Sequence, residues 1–426
     1  MSIKTLHIFS VIIVLITTSV FAQDDIGWFN SGSVVYVNSS DSIYVRGDQG
    51  SAHVVHKNFA LCDNRGVIAL DGDWLDSNTN PTFWDQDSGI VRMTGRYQRI
   101  AGTNVTDFHS LQLFNPMMKE MFIDANVDGV LDLNDAELAL NKNILHLQNP
   151  EPSALSWNGG FVSGDTVGGY FARSTNRTAA YMFPVGSINL TNTYRAVELT
   201  PTTSDASVFA VRLADRNPDL ENNLDTSFTG SFGPFNRSDI GPQLYGVNDA
   251  FYHHIARFSG TSEALADVFY FGADEIYPYE FNIMAVWENS IPQWERDDFA
   301  VNFNTGRPSI GNPERFMRNT ISNFGNDVYA LAVRDKITAR VPQIFSPNND
   351  GINDELFVLG TEIEELEFIV YNRWGEKVFE TKDQNIGWNG KFRGSDAQPG
   401  VYVFYLKAGL VDNQILEQSG DITLVR

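Results

Sequence analysis

One short pattern recurs through the first third of the chain: apolar, any residue, apolar, any residue, then Gly, Asn or Asp. It reads Ile43-Tyr44-Val45-Arg46-Gly47, Ile68-Ala69-Leu70-Asp71-Gly72 and Val91-Arg92-Met93-Thr94-Gly95. It continues as Leu111-Gln112-Leu113-Phe114-Asn115 and Leu131-Asp132-Leu133-Asn134-Asp135. Successive copies start 25, 23, 20 and 20 residues apart, and looser copies follow at Leu138-Ala139-Leu140 and Leu145-His146-Leu147-Gln148-Asn149. A period of two puts both apolar side chains on one face of a short strand. Gly, Asn and Asp tolerate the left-handed backbone that lets a chain leave a strand sharply. A single short strand cannot bury its apolar face alone, whereas stacked copies can. The expectation is an all-β chain whose residues 23–150 form a β-helix or solenoid-like repeat module. The drifting period leaves an ordinary antiparallel β-domain as the alternative.

The N-terminus reads as a secretory signal peptide over residues 1–22. Lys4 supplies the positive start, His7 to Phe21 is apolar apart from Ser10, Thr17, Thr18 and Ser19, and Ala22 closes the run before Gln23-Asp24-Asp25. The run is short for a membrane span of about 20 apolar residues. No later segment is apolar enough to serve as a transmembrane anchor. The single cysteine, Cys62, cannot close an intramolecular disulfide, so an exported chain of this kind draws its stability from packing. Cys62 itself reads as a half-buried structural thiol. A net charge of −23 argues against nucleic acid and anionic membrane surfaces as partners.

Residues 151–338 have longer apolar stretches and Gly, Asn and Pro in the loops, and read as a β-sandwich. Strands are expected at Phe161 to Tyr170, Ala180 to Pro184, Arg195 to Leu199, Ser207 to Arg212, Ala250 to Phe258, Asp267 to Phe271, Tyr279 to Trp287 and Asp327 to Val333. Thr261 to Ala266 reads as one helical turn.

Residues 339–426 carry several motifs in order. They are Pro347-Asn348-Asn349-Asp350-Gly351-Ile352-Asn353-Asp354, Tyr371-Asn372-Arg373-Trp374-Gly375, Trp388-Asn389-Gly390 and Gln398-Pro399-Gly400-Val401-Tyr402. Strands are expected at Leu366 to Tyr371, Lys377 to Glu380, Val401 to Lys407 and Ile415 to Leu424. This order closely resembles the gliding motility-associated C-terminal domain, the type B sorting domain of the type IX secretion system. The resemblance implies an immunoglobulin-like sandwich read by an outer-membrane translocon, with release or retention at the cell surface; the signal peptide adds an expected first passage through the Sec system. Carried over position by position, Pro347, Asn348, Asp350, Gly351, Asn353 and Asp354 match the entry motif. Trp374, Gly375, Trp388, Gly390, Pro399, Gly400 and Tyr402 match the later positions. Asn349 stands where the family commonly has Gly, a mild departure because Asn also tolerates the left-handed conformation. The stretches 181–186 and 194–199 resemble segments of other type IX-exported surface proteins.

Chemistry-bearing patterns are sparse. Asp124, Asn126, Asp128 and Asp132, with Gly129 at the bend, fit an EF-hand-like calcium loop, although its last position is Asp135 rather than a bidentate Glu. The Asn348 to Asp354 loop could also hold a cation, and no other cofactor is indicated. Trp28, Trp74, Phe83 and Trp84 near the turns could form a sugar platform or cover the module. His53 and His56 on one strand, and His253 and His254 on another, point to opposite faces. There is no zinc, nucleophile-elbow, phosphate-loop or dinucleotide motif. The pairs Asp71/Asp73 and Asp85/Asp87 read as turn residues before they read as an acid–base pair. The function expected is that of an exported, non-enzymatic, adhesion-like or structural protein. A glycan-binding module, or a polysaccharide-cleaving enzyme in the repeat module, is the alternative.

Overall fold

The computed structural model describes residues 26–32, 34–46, 53–78, 82–83, 88–164, 168–190, 194–221, 233–241, 244–271, 274, 281–297, 301–304, 315–325, 327–334, 339–348, 353–360, 363–410 and 415–426. The signal-peptide expectation over 1–22, Trp84, the pair Asp85/Asp87, and Asn349, Asp350, Gly351 and Ile352 lie outside them. The chain divides into two compact units, 1–334 and 335–426.

In the first unit the repeat is a stack. Strands Ser42–Val45, Val67–Leu70, Ile90–Met93, Ser110–Leu113, Leu131–Asp132 and Leu155–Ser156 lie side by side in one six-stranded sheet. All their pairings are parallel, which removes the antiparallel alternative. The register sets Ile43, Ile68, Val91, Leu111, Leu131 and Leu155 in one column. From Ile68 onward that column is buried. Each buried Leu or Ile of this kind contributes roughly 1.5–3 kcal/mol.

A seven-stranded face runs from Ile26–Ser31 to Phe161–Ser163. A third face holds Val34–Val37 and Leu61–Asn64, then Thr106–Phe108, Ala125–Val127 and Ile144–Leu147. The chain visits the three faces in turn, as in His53–Lys57, Leu61–Asn64 and Val67–Leu70. The looser copies therefore do not extend the first face. Leu138 lies on the seven-stranded face and Leu145-His146-Leu147 on the third. Alternation looks the same on every face, so sequence could not separate them.

The corner residues serve more than one purpose. Asn115 is left-handed, with φ 76°, as its position predicts. Gly95 is there for a different reason: a Cβ would lie 2.0 Å from the Asp71 carbonyl oxygen of the coil before it. Asparagine side chains tie adjacent coils together. The Nδ2 groups of Asn134, Asn143 and Asn149 donate to the carbonyls of Leu113, Met121 and Gly129 at 2.9, 2.9 and 3.0 Å. A carboxylate in those places could not donate.

The stack passes into a sandwich without a break. Ile144–Leu147 pairs in parallel with Tyr170–Thr175, and the same sheet then turns antiparallel through Ser207–Ala214, Tyr252–Ser259, Val328–Arg334, Ile283–Glu288 and Gln293–Arg296. A five-stranded sheet packs opposite it, in the order Tyr181–Phe183, Val197–Pro201, Ala264–Tyr270, Arg315–Ile321 and Val301–Asn304. Phe209, Val211 and Leu213 of one sheet meet Leu199, Ala266 and Val268 of the other in a core cluster that also contains the solenoid interior. The helical turn expected over Thr261–Ala266 is absent, because Ala264 opens a strand paired along its whole length with Arg315–Ile321.

The second unit is a five-stranded sheet, Ile344–Phe345, Ile415–Leu424, Gly400–Leu410, Ile363–Tyr371 and Lys377–Thr381 in spatial order. Its long hairpin pairs at ten positions. Val401 and Val403 share one surface, as the alternation predicts, and it is the exposed one. Tyr402, Phe404, Leu406 and Ala408 point inward to meet Phe345, Leu356, Phe368 and Trp388.

Candidate functional site

The motif residues of the second unit fall into two groups. The first builds the fold. Trp388 is 1% exposed. Its indole Nε1–H donates to the Lys391 carbonyl at 2.9 Å, and its ring centroid lies 5.2 Å from Phe345 and 4.9 Å from Tyr402. Its backbone exchanges hydrogen bonds with Leu356 at 2.9 and 3.0 Å. Gly390 is left-handed, and a Cβ there would sit 2.7 Å from the Pro347 ring. The Tyr402 hydroxyl donates to the Gln398 carbonyl at 2.8 Å, and burial raises its pKa. The Ser346 amide donates to the Asn353 carbonyl at 2.9 Å, and Asn353 is left-handed at φ 54°. This ties the residue before the entry motif to a residue near the motif's end.

The second group is presented to solvent. Trp374 sits at a hairpin tip and is 85% exposed. Asn372 holds that tip: its Oδ1 accepts from the amides of Trp374 and Glu376 at 2.9 and 3.0 Å. The Gly375 amide donates to the Asn372 carbonyl, also at 2.9 Å. The tip needs a left-handed residue, and Gly375 supplies φ 75°. A cleft of about 720 Å³ lies between this turn and the segment Gln398-Pro399-Gly400-Val401-Tyr402. Two motifs far apart in the chain thus line one concavity. The family resemblance pointed to each motif, but their convergence depends on the pairing of Ile363–Tyr371 with Gly400–Leu410, which no single segment encodes.

The family model described as the CHU_C Type IX secretion signal domain matches residues 339–424. The second unit is a type IX secretion signal domain. Its presence implies interaction with the type IX machinery and export to the cell surface or extracellular space. No curated protein matches the chain. Among the described residues, no helix is long and apolar enough to cross a membrane.

Other candidate residues lie outside the signal domain, in the first unit. Trp74 and Phe83 are buried, with rings stacked at 5.4 Å and 14°, and Trp28 packs edge-on against His56 at 5.5 Å. These rings fill the solenoid rather than forming a sugar platform. The Asp124 loop spans a corner between two faces, Ala125–Val127 on one and Leu131–Asp132 on the other. Asp124 Oδ1 accepts from the Ile144 amide at 2.8 Å, Asn126 Nδ2 donates to Asp107 at 2.6 Å, and Asp132 Oδ1 accepts from the Asn134 amide at 3.1 Å. Asp128 faces His109 at 2.7 Å. Among the described residues, no three His, Cys, Asp or Glu side chains converge as a metal-ligand set. Asp73 clamps neighbouring coils, accepting from the Arg99 amide at 2.7 Å and its guanidinium at 2.8 Å. Cys62 is fully rather than half buried.

The solenoid interior also holds polar groups that the sequence pattern did not mark. Lys119 is fully buried in a column between Gln98 and Leu138. Its Nζ donates to the carbonyls of Gly95, Met117 and Arg96 at 2.8, 3.2 and 3.3 Å, and burial brings its pKa down to about 8. His56 is buried against Trp74, which lowers its pKa to about 4. Asp76, on the adjacent strand, accepts from the hydroxyls of Thr82 and Thr106 at 2.5 and 3.1 Å. Burial raises its pKa despite these bonds.

Proposed function

We propose that the protein is a non-enzymatic, adhesion-like or structural component of the cell exterior, carried across the inner membrane by the Sec system and across the outer membrane by its signal domain. The observation that carries this reading is the outward surface of the first coils. Phe29, Tyr36, Tyr44 and Phe59 are 49% to 64% exposed there, on strands and turns whose buried positions belong to the stack. Exposed aromatic rings on a stiff support favour contact with other surfaces. The same rings support the second reading, an extracellular glycan-binding module.

Cells lacking the protein should attach less well to a surface, and the purified chain should release no reducing ends from polysaccharides. Release of reducing ends would overturn the proposal in favour of a polysaccharide-cleaving enzyme. Saturable signal on a glycan array would select the glycan-binding reading, and its loss with chelator would show that binding needs a divalent cation, reopening the Asp124 loop as a candidate.

A further inference from the structure

We infer that the cleft between the Asn372–Glu376 turn and the Gln398–Tyr402 segment is the face by which the secretion machinery grips this domain, with Trp374 as its anchor. The occupant is a protein segment of that machinery that brings an apolar side chain to Trp374 and a carboxylate to Arg373. This rests on the export reading of the domain and adds the surface that performs it.

The contrast between two tryptophans in one small unit carries the argument. Trp388 is packed and hydrogen-bonded, and its place in the motif is explained by the core. Trp374 is 85% exposed and contributes little to that core, so packing gives no reason for a large apolar ring at this tip. Trp and Arg are the residue types most enriched at energetic centres of protein interfaces. The tip is also pre-organised. Asn372 fixes it through its side-chain and backbone bonds, so docking costs little ordering entropy.

The remaining walls fit the same occupant. Val401, 56% exposed, lines the cleft with Trp374 and supplies more apolar surface to be covered. The cleft's charges are largely paired internally: Glu376 with Arg393 at 2.8 Å and Asp396 with Arg426 at 3.5 Å. Arg373 has no ion pair among the described residues. Among the described residues Arg373 is thus the cleft cation without an ion pair, beside an exposed indole, which selects an acidic, apolar segment.

The test is fractionation of host cells producing the full chain with Trp374→Ala, Arg373→Glu or both, beside a chain lacking 335–426. Trp374→Ala should lower the exported fraction by at least about tenfold, Trp374→Phe should restore part of it, and the melting temperature of the purified variants should be unchanged. Normal export of the double variant, with the truncated chain still trapped, would overturn the inference and leave the export reading standing. Normal export of the truncated chain would overturn both. A melting temperature that falls with Trp374→Ala would assign the ring to folding and also sink the inference.

Discussion

The two units use their motif residues for different ends. In the stacked unit the five copies from Ile43 to Leu133 stack on one face, and the column from Ile68 to Leu155 is buried throughout. Recurrence there is a packing rule applied once per coil. In the signal domain packing accounts for one motif residue, Trp388, and leaves the other, Trp374, in solvent. A motif residue that the core already accounts for says little about function, whereas one that packing leaves unexplained marks a place to look.

The largest effect expected is for Trp388→Ala, which removes a buried aromatic ring and its hydrogen bond. It should cost about 3–5 kcal/mol and lower the denaturant midpoint of the signal domain alone. A cost below about 1 kcal/mol would mean that the two tryptophans do not differ as described.

Acid should separate the units next. All seven histidines belong to the first unit. His56 and His253 are held near pKa 4 by burial, against an ordinary value of 6.5, and burial also lowers His146. On acidification the unfolded chain takes up these protons first. Stability is therefore present above about pH 6.5 and is lost as pH falls toward 4, by roughly 3 kcal/mol for each of His56 and His253. The first unit's unfolding transition should move across that window, and His56→Phe should blunt the shift. The signal domain's transition should stay still between about pH 6.5 and 5. Equal shifts in both units would contradict the assignment.

A smaller effect is expected at Lys119. Lys119→Met keeps the apolar stem but leaves the carbonyls of Gly95, Arg96 and Met117 without their donor. It should cost about 1–3 kcal/mol, read as a lower midpoint for the first unit only.

Much of this fold was legible in the sequence, for identifiable reasons. The alternating pairs from Ile43 to Leu133 announced stacked strands, and the structure sets them in register on one face. The motifs around Trp374, Trp388 and Pro399 announced the signal domain. Strands such as Arg315–Ile321 were missed because Arg315, Arg318, Asn319 and Thr320 hide their alternation, and the pairing with Ala264–Tyr270 supplies the partner that local pattern lacks. The merger of solenoid and sandwich through Ile144–Leu147 and Tyr170–Thr175 was also missed, because a continuous sheet leaves no mark at the residue where its strands change direction. Lys119 and Gln98 occupy inward positions where a polar letter reads as outward, and only the coil-to-coil carbonyls explain them. The cleft was legible in its parts but not as a site, since it forms only when two strands from different motifs pair.

The most direct test of the central claim is the location of a chain ending at residue 334. The claim is that the signal domain carries export while the first unit folds without it. The truncated chain should be folded, with a melting transition matching that of the first unit in the full protein, and should be found wholly in the periplasm. A folded truncated chain at the cell surface or in the medium would contradict the account.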